Sequence, residues 1–125
     1  MRQALLDSNL IIYAASPSDM RVVPFISSLD QVFVSEIAFV ETLGYHLISD
    51  DEKSAIRRVL NQCRVLGVSR DVIERAILVR QQVRVSLGDA IMAGTALQHD
   101  LPLATRNLDD YRGIDGLTVL NPFDL

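Results

Sequence analysis

Four acids, Asp7, Glu41, Asp89 and Asp110, each interrupt or border an apolar stretch of this chain. Asp7 ends "QALLD" and opens "SNLIIYAA"; Glu41 sits inside "SEIAFVETLGY"; Asp89 opens "DAIMAGTAL"; Asp110 follows "LPLATRNLD". Burying a carboxylate is costly unless a cation or hydrogen bonds compensate it, so a folding domain has no reason of its own to aim several acids inward. Four carboxylates brought together do not all stay ionised without a cation. Their convergence would therefore point to a hard divalent metal, and a metal in an acidic pocket to phosphate chemistry.

Taken singly, most of these acids have an ordinary explanation. Asp7-Ser8-Asn9 is good turn and N-cap chemistry. Ser86-Leu-Gly-Asp89 fits a capping box, and Asp110 shares a polar loop with Asp109. Glu41 is harder to dismiss, because on a helical wheel it falls beside Ile37 and Ile48 at the border of the apolar face. The case rests on the joint placement of the four.

The elements that must position them alternate. Residues 3–6 read as a buried strand followed by a helix to Ala15, "SPSDM" as a turn with an N-cap, and Arg21 to Ser28 as a helix. "QVFVS" (31–35) reads as a second strand, after which Ser35 caps a helix running to Ile48. "SDDEKSAIRRVLNQC" opens with capping residues and acids, as a helix should. "RVLGVS" is the third strand, Arg70 to Val85 and Asp89 to His99 are helices, and "PLATR" and "LTVLN" are strands four and five. The small-residue helix from Ala90 to Leu97 should be buried, which places its N-terminus and Asp89 inside as well. Such alternation implies a parallel sheet covered on both faces, with ligands beyond the carboxyl ends of the strands.

The length of 125 residues suits one domain, and 49% hydrophobic residues argue against disorder. Cys63 is the single cysteine, and His46 and His99 stand alone, so the sequence favours a reducing cytoplasm without structural zinc. "LIIYAAS" is too short and too interrupted for a signal peptide, and no apolar run approaches the roughly 20 residues of a membrane span. Net charge is −4, yet residues 53 to 84 hold eight basic side chains against two acids. Most of these suit solvated helix faces with pairs such as Asp71–Arg75. Eleven of the twelve basic residues are arginine, and a basic rim beside an acidic pocket suits a polyanion.

The segments "LLDSN", "VSEIAFVETLGY", "LGDAIMAGTAL" and "LPLATRNLDDYRGIDGLTVLNPF" resemble, in order and spacing, those of PIN-domain ribonucleases, specifically the short VapC-type toxins of toxin–antitoxin pairs. The resemblance covers nearly the whole chain, with residues 50 to 85 matching in pattern only. It implies one PIN domain over residues 1–125, an α/β/α sandwich on a five-stranded parallel sheet. It also implies an acidic pocket for Mg²⁺ or Mn²⁺ formed by Asp7, Glu41, Asp89 and Asp110. The last assignment follows the family pattern Thr-x-Asn-x-x-Asp plus an aromatic, here Thr105, Asn107, Asp110 and Tyr111, with Asp109 and Asp115 as nearby substitutes. Ser8, Thr105 and Asn107 would orient carboxylates or water, and Tyr111 would serve packing. Gly88 departs from the residue many relatives carry before this aspartate.

The activity so implied is metal-dependent endoribonuclease cleavage of RNA phosphodiesters, neutralised by an antitoxin on another chain, in a homodimer. Two other readings fit the same architecture. A receiver domain needs a lysine beyond the last strands, whereas the only lysine is Lys53 in a mid-chain helix. A non-catalytic interaction protein would have no need of all four acids.

Overall fold

The computed structural model describes residues 1–16 and 21–124. Five strands, β1 (Gln3–Leu6), β2 (Gln31–Ser35), β3 (Arg64–Leu66), β4 (Leu103–Ala104) and β5 (Val119–Leu120), form one sheet in the order β3-β2-β1-β4-β5. Every pairing is parallel. β1 is central, and its Ala4, Leu5 and Leu6 are all fully buried. That uninterrupted apolar run is what a strand covered on both faces requires. Strand order reverses at β1, which pairs with β2 on one side and β4 on the other. The crevice beyond the carboxyl ends of β1 and β4 is therefore the topological switch point, where such sheets bind ligands.

The helices are α1 (Ser8–Ala15), α2 (Val22–Ser27), α3 (Ile37–Leu43), α4 (Asp50–Leu60), α5 (Arg70–Gln82) and α6 (Leu87–Gln98). Short 3₁₀ turns cover Leu108–Tyr111 and Pro122–Asp124. The expected α/β architecture with five parallel strands is present, with shorter elements. α3 stops at Leu43 rather than Ile48, because Gly44 takes the C-cap and the new N-cap Ser49 forms a full capping box with Glu52. Ser35 does accept a hydrogen bond from the Ile37 amide, although the N-cap position itself falls on Glu36. α5 ends before Val83, which turns to extended backbone. The residues 17–20 of the expected "SPSDM" turn lie outside the described residues. Among the described residues no helix is long and apolar enough to cross a membrane.

α6 is buried as its small residues imply: every residue from Ala90 to Ala96 is inaccessible or nearly so. Thr95 is tolerated there because its hydroxyl donates to the Ile91 carbonyl at 2.7 Å. α5 lies close along α6. A Cβ at Gly94 would stand 2.8 Å from the Val72 carbonyl oxygen and 3.0 Å from the Ala76 nitrogen. These are backbone atoms that cannot swing aside, so the glycine sets the interhelical distance. Gly94→Ala gains about 1 kcal/mol of helix propensity but incurs about 1–3 kcal/mol of overpacking. The expected outcome is a net loss, larger for Gly94→Val, measured as a lower urea midpoint. A midpoint that rises for both variants would contradict this packing.

Candidate active site

Asp7 directly follows β1 and is the N-cap of α1, so the ordinary capping explanation holds: its Oδ1 accepts from the Ser8 amide at 2.8 Å. Its other oxygen has a different use. Oδ2 accepts from the Thr105 hydroxyl at 2.7 Å and from the Asn9 side-chain amide at 3.2 Å. Thr105, just beyond β4, is fully buried. The Asp7 amide also donates to the Ala104 carbonyl at 2.9 Å, so backbone and side chain both close the ends of the two strands across the switch point. Asp7 is only 6% exposed. Burial raises its pKa above the ordinary carboxylate range; the bonds from Thr105, Ser8 and Tyr111 oppose this, and the charge of Asp89 adds to the rise.

Glu41 reaches the same place from α3. Its Oε1 accepts from the Ser8 hydroxyl at 2.7 Å. Its pKa is also raised, first by desolvation, against the Ser8 bond, and then by the charges of Asp7 and Asp89. Its other oxygen lies against Gly88, where a Cβ would collide with Oε2. The departure at position 88 thus has a physical reason: only glycine leaves room for this carboxylate in its present place.

Asp89 lies in the first turn of α6. Only half of the expected capping box exists, since Ser86 accepts from the Asp89 amide at 3.1 Å. The carboxylate is instead turned to the site, where its Oδ1 accepts from the Tyr111 hydroxyl at 3.1 Å. Sequence reasoning assigned Tyr111 to packing, and the ring is indeed 2% exposed. Its hydroxyl nevertheless serves the acids, and burial, followed by the charges of Asp7 and Asp89, drives its pKa far upward. It remains a proton donor.

Three of the four acids therefore meet in one place. Asp110 is placed otherwise: it is exposed on the 3₁₀ turn beside a shallow hollow that Arg106, Asn107 and Asn121 also line. Its amide donates to the Asn107 carbonyl. Asn107 contributes through its backbone amide, which donates to the Thr105 hydroxyl at 3.0 Å. Asn9 was not singled out from the sequence, yet it donates to Asp7 and, at 3.4 Å, to Thr105, while its Oδ1 is buried without a partner. Some arginines of residues 53–84 have partners within the protein. Arg70 pairs with Glu74 in place of the expected Asp71–Arg75, Arg75 bonds Gln98, and Arg64 lies over Phe33.

The donor set suits a hard divalent cation, being carboxylate oxygens with an orphaned amide oxygen beside them. Among the described residues, no three acidic, histidine or cysteine side chains close into a ready cage. Mg²⁺ does not require one, since it keeps several waters and is commonly held by one or two carboxylates. Asp7 and Asp89, linked through Tyr111, are the residues that would hold it, with Asn9 Oδ1 as an acceptor for a hydrating water.

The protein is similar to a toxin–antitoxin complex from Klebsiella pneumoniae, with 32% identity over 95% of this chain and 97% of that one and a TM-score of 0.78. It is similar to FitAcB from Neisseria gonorrhoeae at 28% identity, covering 98% and 99% of the two chains, with a TM-score of 0.83. In fold it also matches a VapC from Mycobacterium tuberculosis described as a sarcin–ricin loop cleaving toxin, at 20% identity over 82% and 87% of the chains and a TM-score of 0.63. No curated protein matches by sequence. A family model for the PIN domain matches residues 4–117, and the chain belongs to that family.

Proposed function

We propose that this protein is a metal-dependent endoribonuclease, the toxin of a toxin–antitoxin pair. The observation that carries the reading is the meeting of Asp7, Glu41 and Asp89, from three distant segments, at the switch point of the sheet. A structural relative solved as a toxin–antitoxin complex, and one described as cleaving the sarcin–ricin loop, support a toxin acting on RNA. Such a toxin would be held by an antitoxin on another chain and would work as a homodimer in the cytoplasm. The receiver alternative finds no support, because Lys53 lies on α4 and pairs with Asp50.

Bound Mg²⁺ or Mn²⁺ would lower the pKa of an attacking water and offset charge gathering on the phosphate. The chain's own residues prepare the site for it. Thr105, Asn9 and the Ser8 amide hold the Asp7 carboxylate in one orientation, and Ser8 and Gly88 hold Glu41. Tyr111 fixes Asp89 by donating its proton without giving it up. Glu41, at the open side, is placed to accept a proton from water. Asp110 is assigned to the outer edge of the pocket, on the turn that follows Arg106. Hydrolysis in this arrangement would leave 5′-phosphate and 3′-hydroxyl ends.

Asp7→Asn and Asp89→Asn should each lower metal-dependent cleavage of single-stranded RNA by about 100-fold or more, and Thr105→Val by about 10–100-fold. Cleavage by Asp7→Asn at the rate of the parent protein would sink the assignment. Gly88→Ala should push Glu41 aside at the cost of activity and leave the melting temperature nearly unchanged, because a flexible side chain yields.

Stability should also depend on pH in a definite sense. Asp7 and Glu41 bind protons more tightly in the folded state than at their ordinary values of 3.8 and 4.5. Their contribution is full below those values and is lost as pH rises through the raised ones. In chelator, the parent protein should therefore lose ground to Asp7→Asn as pH rises above the ordinary carboxylate value of 3.8. Added Mg²⁺ should recover the parent at neutral pH and not the variant, as read by thermal melts. A parent melt indifferent to Mg²⁺ at neutral pH would contradict cation binding by these acids.

A further inference from the structure

Next to the acids stands a group of side chains that the chemistry above does not use. The Arg106 guanidinium lies 4.6 Å from the centre of the Phe123 ring and 5.3 Å from that of Tyr13. The two rings meet edge to face at 5.5 Å, and the Tyr13 hydroxyl accepts from Arg106 Nη1 at 3.0 Å. Arg21 lies over the same Phe123 ring at 4.3 Å. Three chain segments, α1, the β4 end and the C-terminal 3₁₀ turn, thus converge on one cation. The stacking is favourable and uses no N–H, and the bond to Tyr13 uses one of the five N–H donors, so the guanidinium is oriented with most of its donors turned to solvent.

Two connections tie this cage to the acids. Arg106 follows Thr105, whose hydroxyl bonds Asp7. Tyr13 is one helical turn after Asn9, on the same face of α1, and Asn9 also bonds Asp7. Among the described residues no carboxylate pairs with Arg106 in the way that Glu74 pairs with Arg70 and Asp109 with Arg112. Arg106 is exposed and borders the hollow that reaches Asp110. An acidic pocket repels a polyanion, so a substrate strand needs a cation close to the point of attack.

We infer that Arg106, oriented by Tyr13 and Phe123, binds a backbone phosphate of the substrate RNA next to the scissile one. The inference rests on the nuclease reading for the identity of the strand. The geometry suits the task, because a planar guanidinium grips a phosphate with two parallel hydrogen bonds. The contact is with the backbone, so it positions the strand and carries no base preference.

The test is binding of a fluorescently labelled single-stranded RNA, followed by anisotropy over a series of salt concentrations. Ca²⁺ replaces Mg²⁺, and a gel checks that the strand stays intact. One lost phosphate contact should reduce the log–log salt slope by about 0.7. Arg106→Gln should show that reduction with affinity weakened about tenfold at low salt, while Arg106→Lys keeps the slope. An unchanged slope in Arg106→Gln, even with weaker binding or a lower melting temperature, would overturn the contact and leave the cage to packing or to a protein partner. Absence of RNA binding by the parent protein would overturn it too. Cleavage is assayed separately: an Arg106-dependent slope without any cleavage would leave the phosphate contact standing and remove the nuclease reading.

Discussion

The structure is organised around holding one carboxylate in place where water is scarce. Asp7 stands at the end of a fully buried strand, and desolvation alone would drive it to take up a proton. What opposes this is a set of donors from three sources: Thr105 from the far end of the sequence, the Ser8 amide at the start of α1, and the Tyr111 hydroxyl. Thr105 can serve only if β4 ends level with β1. The parallel pairing of Leu6 with Ala104 and the bond from the Asp7 amide to the Ala104 carbonyl enforce that level. The register of the central strands is thus also the geometry of the site.

The same demand shapes the second layer of contacts. Asp89 sits in the first turn of α6, where a negative charge is favoured by the helix dipole, and α6 is held deep by its small residues and by the close approach at Gly94. Glu41 enters from a helix that Gly44 cuts short, and Gly88 leaves the space it needs. Ser8 bonds both Asp7, through its amide, and Glu41, through its hydroxyl, so one residue sets the spacing of two acids. Each of these choices gives up some packing or propensity in exchange for position. Raised pKa values at Asp7 and Glu41 are the electrostatic record of that exchange.

Much of this was legible from the chain, for identifiable reasons. Alternating apolar and helical segments reveal the parallel sheet, because a strand covered on both faces must be apolar throughout, as "ALL" of β1 is. The burial of α6 follows from its small residues. Helix ends were less legible: α3 looked continuous to Ile48 since apolar spacing persists past Gly44, and it took the Ser49–Glu52 capping box to begin α4 separately. Asp7, Glu41 and Asp89 were recognisable as acids in apolar surroundings. Asn9 and Tyr111 were not, because an amide in a cap and an aromatic in a loop look ordinary until their hydrogen bonds are seen. Arg106 was obscured by the basic run of residues 53–84, which holds eight of the twelve basic side chains.

The segment from Thr105 to Tyr111 joins the two halves of the functional reading. Thr105 is tied to Asp7, the Asn107 amide to Thr105, and Tyr111 to Asp89, so both ends of the segment are anchored to the acids. Between these anchors the chain has no reason to stay buried, and Arg106, Asn107, Asp109 and Asp110 are all exposed. A turn fixed at both ends and open in the middle holds its projecting side chains at a set distance from the pocket without requiring them to enter it. Arg106 is drawn to one side by Tyr13 and Phe123, while Asp110 looks onto the hollow. The residues that hold the acids in place are thereby separated from those that meet solvent, and the buried anchors keep the acids where they are whatever the exposed side chains do.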